Sequence, residues 1–315
     1  MPSAHLPVLL EEVLAALSCQ PGKTYLDATL GAGGHALEIL GRTSPDGRLL
    51  GADQDPAALA RARKRLAPCR GRFELLQTSF RHLPVLLEER GERAFDGILL
   101  DLGLSSDQLA DASRGFSFSR PGPLDMRMDP GASRTARMIV NDFDEDALRS
   151  LLREFGEEPH ATRIVRAIVQ KRREAPIDTT DQLAAIVEEA VPPSRRGART
   201  HPATKTFQAL RIAVNDELAA LEEMLDGIPD LLVPGGRLAV ISFHSLEDRI
   251  VKRRFRKWAG QCTCPPKFPV CSCGASACMR MLGKRATKPS AEEVAANPRS
   301  RSARLRAAER LEEAA

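Results

Sequence analysis

The chain has 315 residues, of which 43% are apolar, enough for one large or two ordinary domains with a hydrophobic core. This composition excludes a wholly disordered chain, and the first twenty residues lack the basic start and apolar run of a signal peptide. No stretch approaches the roughly 18 uninterrupted apolar residues of a membrane span, so we expect a soluble, cytoplasmic protein.

The net charge of +4 is small, but charge is distributed unevenly along the chain. Between Arg249 and Arg310 there are sixteen Lys or Arg residues, three Glu and no Asp. This excess is typical of a surface that contacts phosphate groups, and a solvated basic face has the same composition. Nucleic acid is therefore one expected partner.

Residues 24–101 alternate short apolar strands with amphipathic helices, which is the pattern of a parallel sheet with crossover helices. Strands are predicted at 24–29, 48–53, 72–77 and 95–101. Helices are predicted between them, near 34–41, 56–67 and 81–90. The first third of the chain is thus predicted to be an α/β fold.

The next hundred residues follow a helical pattern, with an apolar stripe through Leu148, Leu151 and Phe155. A strand pattern resumes only at 237–243, after a Pro-Gly-Gly turn. Because this late strand needs a sheet to join, the α/β domain is predicted to be discontinuous. Its predicted parts are 1–106 and 201–315, and they flank an inserted, mainly helical substrate-recognition domain at 107–200.

A glycine-rich turn follows the first predicted strand, in the segment DATLGAGGHA. The pattern G-x-G-x-x-G/A is satisfied by Gly31, Gly33 and Ala36, and several nucleotide cofactors use such a turn. The glycines alone therefore do not distinguish these cofactors.

Acidic residues distinguish them better, because Asp27, Asp53 and Asp101 end three predicted strands, where ligands bind in an open parallel sheet. Asp53 follows Gly31 by 22 residues, where an acidic side chain can bind ribose hydroxyls. A pyrophosphate would place two negative charges close to Asp27. S-adenosylmethionine has no phosphate and carries two cationic groups, so the residues favour it, with a nicotinamide-dependent oxidoreductase as the alternative.

Five of the seven cysteines crowd into one segment, at Cys262, Cys264, Cys271, Cys273 and Cys278. An odd and clustered set is not typical of a secreted disulfide framework. The two C-x-C pairs are tighter than the C-x₂₋₄-C spacing of zinc knuckles. A reduced cluster is therefore favoured over a structural zinc, and no metal is assigned to the site.

Six motifs follow one another along nearly the whole chain: HLPVLLEEVL, DATLGAGGH, DLGLSSDQL, LDMRMDP, ISFHSLEDRIVK and NPRSRSARLRAAER. Together they closely resemble the RsmH family, formerly called MraW. The resemblance implies a Rossmann-like, S-adenosylmethionine-dependent methyltransferase that modifies the N4 amine of a cytidine in the decoding region of 16S rRNA. That cytidine is cytosine-1402 in standard numbering. It also implies the small ribosomal subunit as partner, with neither a membrane nor an obligatory protein partner.

The resemblance also implies the residues that contact the cofactor: Gly33, Gly34 and His35 in the turn, Asp53 at the ribose, Phe80 at the adenine, and Asp101 and Gln108 near the methionine end. Three of these have ordinary structural alternatives. Phe80 suits a hydrophobic core, His35 suits the first turn of a helix, and Gln108 suits an exposed surface.

Cytosine N4 is a weak nucleophile, so positioning is expected to supply much of the rate. We expect Asp101, or a carbonyl just after it, to accept a hydrogen bond from the amine. In the segment after the predicted late strand, Phe243 could stack on an extruded cytosine and His244 could relay the released proton. The structural alternatives are a core position for Phe243 and a helix cap formed by Ser245 with Asp248.

Arginine-rich segments supply candidate contacts to the RNA backbone. They are Arg163, Arg166, Lys171, Arg172 and Arg173 in the insertion, Arg195, Arg196 and Arg199 after it, and Arg299, Arg301, Arg304 and Arg306 near the end of the chain. An RNA-binding assembly factor that retains the fold without turnover is the other alternative.

Overall fold

The computed structural model describes residues 7–92, 94–192, 201–261 and 276–312. The chain forms two compact units. One, here called the sheet unit, comprises Met1–Gly103 and Leu218–Ala315, and the other, the helical unit, comprises Leu104–Glu217. The helical unit therefore continues beyond the expected boundary at residue 200.

The sheet unit contains seven strands in one sheet. They are β1 Thr24–Asp27, β2 Arg48–Asp53, β3 Phe73–Gln77, β4 Phe95–Asp101, β5 Leu232–Ser242, β6 Met279–Met281 and β7 Arg304–Arg310. The strand order is β3-β2-β1-β4-β5-β7-β6. Strands β1 to β5 are parallel, whereas β7 runs antiparallel to both β5 and β6. The chain order reverses at β1, so ligands are expected at the carboxyl ends of β1, β2 and β4.

The helices of the described residues are α1 Leu10–Leu17, α2 Gly34–Arg42, α3 Pro56–Arg65, α4 Leu83–Glu89, α5 Ser106–Ala110, α6 Ala136–Asp142, α7 Glu145–Glu154, α8 Ala161–Glu174, α9 Thr180–Ala190, α10 Thr204–Asn215, α11 Glu217–Leu231, α12 Ser245–Trp258 and α13 Ala291–Ala296. Local signals explain several of their ends. Asp55 caps α3 and is followed by Pro56 at the first helical position. None of the helices within these described ranges is long and apolar enough to cross a membrane.

Alternating side chains of the strands build two separate cores, one on each face of the sheet. Leu26 and Ile98 belong to one buried cluster, whereas their neighbours Tyr25 and Leu99 belong to the other. Parallel strands buried on both faces read as continuous apolar runs, as in GILL at 97–100. This explains why β1, β2 and β4 match their predicted ranges to within two residues.

The C-terminal half of the sheet differs from the prediction in two places. The predicted Pro-Gly-Gly turn lies inside β5, where Gly235 has a φ of +77° and the register against β4 shifts between Phe95 and Gly97. The basic C-terminal segment forms β7, which pairs along β5 from Arg237–Glu309 to Ser242–Arg304. Six backbone pairs with β5 thus fix this segment in the sheet.

The helical unit has its own core, which includes Leu148, Leu151 and Leu152 of the predicted stripe. Phe207 and Leu210 of α10 belong to the same core. This burial is the physical reason that α10 lies in the helical unit, although the expected boundary placed it in the other domain.

Candidate active site

The glycine turn after β1 is held to the neighbouring strand by Asp53. The Gly31 N–H donates to Asp53 Oδ2 at 2.8 Å, and the Leu30 N–H donates to the Ala52 carbonyl at 2.9 Å. Gly31 and Gly33 have positive φ angles of 54° and 76°. A Cβ on Gly33 would lie 3.3 Å from the Ala62 Cβ, so both conformation and space favour glycine there.

Asp53, at the end of β2, accepts one backbone hydrogen bond on each carboxylate oxygen. The donors are Gly31 to Oδ2 and Asp55 to Oδ1, each at 2.8 Å. Burial raises the pKa of Asp53, and these two amides oppose the shift. A carboxylate oxygen has two lone pairs, so each oxygen can accept one further hydrogen bond, as from a ribose hydroxyl.

Asp27 and Asp101 end the adjacent strands β1 and β4. Burial raises the pKa of Asp27 to about 7. Burial, and then the nearby charges of Asp27 and Glu247, raise the pKa of Asp101 to about 8. Asp101 Oδ1 is buried and has no hydrogen-bond partner among the described residues. Asp101 therefore offers a buried carboxylate oxygen that can still accept a hydrogen bond.

His35, in the first turn of α2, is buried, and burial lowers its pKa to about 4. Its Nε2 lies 3.0 Å from the Val8 carbonyl, which can only accept, so Nε2 carries the proton of the neutral ring. Nδ1 is then the unprotonated nitrogen, and it lies 3.6 Å from Asp101 Oδ2. His35 thus fixes the N-terminal segment over the turn and adds no positive charge to it.

Phe243 and His244 follow β5, next to the end of β4. Asp101 is paired with Ile241, and a Cβ on Gly103 would lie 3.6 Å from Phe243 Cδ2. Phe243 is partly buried against the core. The sequence therefore places both residues on the same rim as Asp101, as the periodicity predicts.

His244 is the N-cap of α12, and its partner is Glu247. The Glu247 N–H donates to His244 Nδ1 at 3.4 Å, and Glu247 Oε2 accepts from the Phe243 and His244 amides at 2.8 and 3.3 Å. Both side chains are buried, with 9% and 3% of their surface exposed. The expected cap by Ser245 and Asp248 is wrong, because the motif H-x-x-E forms the capping box instead.

Asp248 instead binds two arginines of β7, Arg304 at 2.9 Å and Arg306 at 2.7 Å. Burial opposes its ionisation, but hydrogen bonds from Arg306 and Arg304 outweigh burial and lower its pKa. These two arginines were candidates for contacts with an RNA backbone. In the structure they join β7 to α12, so their charge is partly compensated within the protein.

Two other predicted cofactor residues lie in different settings. Phe80 begins the 3-10 helix Phe80–His82 after β3 and is partly buried against the core. Gln108 belongs to the helical unit, where 7% of it is exposed and its Oε1 accepts from the Ser105 N–H at 3.1 Å. It closes the capping box of α5, which contradicts the exposed-surface alternative.

Some predictions concern residues outside the described ranges. They are the four paired cysteines Cys262, Cys264, Cys271 and Cys273, and the arginines Arg195, Arg196 and Arg199.

Comparison with known families decides how this rim is interpreted. Residues 2–311 match the MraW methylase family. The chain belongs to that family. It is therefore a methyltransferase, its methyl donor is S-adenosylmethionine, and the nicotinamide-dependent alternative is excluded.

Relatives in this family match over nearly the whole chain. The ribosomal RNA small subunit methyltransferase H of Symbiobacterium thermophilum is 52% identical over 98% of this chain and 97% of its own length. The protein of the same name from Thermomicrobium roseum is 53% identical over 98% and 94%. Among solved structures, the N-methyltransferase NodS of Bradyrhizobium japonicum, bound to S-adenosyl-L-homocysteine, has a TM-score of 0.42 at 9% identity, over 96% of this chain and 86% of that chain.

The residues of the rim suit the methyl donor of the MraW family. A bound cation stabilises the ionised form of the buried carboxyl groups of Asp27 and Asp101. Hydroxyl groups can donate hydrogen bonds to the remaining lone pairs of Asp53. Sequence reasoning missed Glu247 and Thr29. Glu247 organises the turn after β5, and the Thr29 hydroxyl accepts from the Asp101 N–H at 2.6 Å. The spacing H-x-x-E was the available signal for Glu247, whereas no pattern indicated Thr29.

Proposed function

We propose that this protein methylates the N4 amine of a cytidine in the decoding region of 16S rRNA within the small ribosomal subunit. The observation that carries the proposal is Asp101 Oδ1, which has no hydrogen-bond partner among the described residues and lies at the end of β4, on the same rim of the sheet as Phe243. Relatives named for methylation of small-subunit ribosomal RNA, at 52% and 53% identity over 98% of the chain, support the choice of RNA.

Asp101 is proposed to accept a hydrogen bond from the reacting amine. The nitrogen lone pair of cytosine N4 is delocalised into the ring, so an acceptor for the amine hydrogens increases its nucleophilicity. S-adenosylmethionine supplies an electrophilic methyl group on a sulfonium. A bound cation lowers the pKa of neighbouring carboxyl groups, so Asp101 becomes an acceptor when the cofactor site is filled.

Phe243 is proposed to stack on the target base, since a base that reacts must leave its helical stack. The relay role of His244 stays a prediction, and the geometry constrains it. Nδ1 accepts the Glu247 N–H, so the neutral ring carries its proton on Nε2. A further proton could bind only at Nδ1, so a relay through His244 would break the helix cap.

The remaining predicted contacts belong to the cofactor. Gly33, Gly34 and His35 are proposed to form its backbone cradle, Asp53 to bind the ribose, and Phe80 to contact the adenine. Gln108 is proposed to contact the methionine end, and the helical unit to recognise the RNA.

Transfer of a labelled methyl group from S-adenosylmethionine tests the substrate. Purified protein is incubated with small subunits from cells that lack the modification, with large subunits from the same cells, and with free 16S rRNA. We expect label in the small-subunit RNA and none in the large subunit. Cofactor binding without transfer to any RNA would support the assembly-factor alternative instead.

A further inference from the structure

A polar cavity of about 350 Å³ lies at the N-terminus of α12, next to the rim described above. Its lining includes Phe243 and His244, together with Lys288, Arg301, Ser302 and Arg304. Phe243 and His244 also belong to the proposed active site. The cavity therefore lies directly beside the place where a target base would be held.

Backbone pairing brings these distant segments together. Arg304 pairs with Ser242 at the end of β5. Thr287 and Leu305 exchange two backbone hydrogen bonds of 2.9 Å each, which places Lys288 beside the start of β7. The positions of the cationic residues around the cavity are thus fixed by the sheet.

The charges around the cavity are only partly compensated. Asp248 pairs with Arg304. Lys288 and Arg301 are both exposed, and neither has a carboxylate partner among the residues that the structure describes. The lining therefore presents two uncompensated positive charges, which favours an anionic occupant.

The N-terminus of α12 also favours an anion. This fourteen-residue helix begins here, and the first amides of a helix lack intrahelical acceptors. His244 Nε2 is not counted among the donors, because the carboxylate oxygen Oε1 of Glu247 lies 3.0 Å from it.

We propose that this cavity binds a phosphodiester group of the RNA substrate, close to the target nucleotide. Lysine and arginine side chains and a helix N-terminus are donors that bind phosphate oxygens. The inference rests on the proposed function, because it supposes that RNA is the substrate. It assigns Lys288 and Arg301 to RNA positioning, whereas Arg304 is shared with Asp248.

Binding of small subunits in the presence of S-adenosyl-L-homocysteine tests this site without catalysis. The double variant Lys288→Ala/Arg301→Ala is compared with the wild type over a series of salt concentrations. We expect Kd to rise at least about tenfold at low salt, and the slope of log Kd against log salt to fall by about two.

The variant Lys284→Ala/Arg285→Ala is the matched control, because it removes two exposed cations of the same segment that do not line the cavity. It should retain the wild-type Kd and salt slope, and thermal unfolding should show that both double variants are folded. If the wild type binds no small subunits, the proposed function fails. If the wild type binds and the cavity variant binds equally well, or if the control weakens binding as much, the phosphate site is wrong.

Discussion

Burial at the carboxyl ends of β1 and β4 determines the protonation of Asp27 and Asp101. An unfolded aspartate has a pKa of about 3.9, whereas the folded values are about 7 and about 8. The folded protein therefore holds protons that the unfolded chain has already released. Their contribution to the free energy of unfolding is complete below about pH 3.9 and is lost as the pH rises through 7 and 8. A bound cationic ligand instead favours the ionised form of both carboxyl groups in the folded protein.

We therefore predict that cofactor binding releases protons. The affinity for S-adenosylmethionine should increase between about pH 6 and about pH 7.5, by up to about tenfold per pH unit for each proton released. Calorimetry in two buffers with different ionisation enthalpies measures this release directly. Affinity that is independent of pH, or proton uptake on binding, would show that Asp27 and Asp101 do not face the cationic groups.

The isosteric change Asp101→Asn separates catalysis from folding. We expect methyl transfer to slow by at least about 100-fold, because a neutral amide oxygen is a weaker acceptor for the amine than a carboxylate. The unfolding midpoint should not decrease at neutral pH, because folding no longer requires this side chain to take up a proton. The exposed Asp230→Asn change on α11 is the control and should leave the rate unchanged. Full activity in Asp101→Asn would remove this residue from the mechanism.

The sequence alone indicates the roles of some of these residues and not of others. The positions of Asp27, Asp53 and Asp101 at strand ends can be predicted from the sequence, because the end of an apolar run predicts a strand end. His35 and Phe80 were indicated only by family resemblance. Their settings depend on the Val8 carbonyl and on the core beside β3, which are contacts that no local pattern contains.

At the level of elements, α12 connects the proposed active site to β7, which lies between β5 and β6 in the sheet. Its N-cap is a catalytic candidate, and its fourth residue, Asp248, binds two arginines of β7. The capping role of His244 and its proposed relay role therefore need separate tests.

The pair His244→Asn and His244→Ala provides that test. Asparagine is a good N-cap and does not titrate, whereas alanine lacks the cap at a cost of about 1 kcal/mol. If His244 only organises the helix, Asn should restore both stability and rate, and Ala should lower the unfolding free energy. If His244 relays a proton, both variants should be slow at every pH. Rates and urea unfolding measured for both variants distinguish the two roles.

The predictable elements are those with strong periodicity. Strands β1, β2 and β4 are buried on both faces, so their apolar runs stand out in the sequence. Strand β7 was missed because RLRAAER contains only two fully buried side chains, Leu305 and Ala308, among charged and small residues. Pairing with β5 decides its structure, and such tertiary context commonly overrides weak strand propensity.

At the scale of the molecule, the late strand indicated that the sheet is discontinuous, because a single strand needs a sheet. The limits of the helical unit are harder to predict from the sequence. Helix α10 has the same kind of apolar stripe as α11, yet α10 packs in the helical core and most of α11 packs on the sheet. Only the packed structure distinguishes the two helices, because amphipathic periodicity does not show which surface a helix packs against.

Nucleoside mass spectrometry identifies the atom that receives the methyl group, and it is therefore the most direct test of the proposed function. Small subunits lacking the modification are incubated with the protein and isotopically labelled S-adenosylmethionine, and their RNA is digested to nucleosides. We predict labelled N4-methylcytidine that maps to the decoding region. Label on a ring carbon, on another nucleoside, or absent under all conditions would contradict the account.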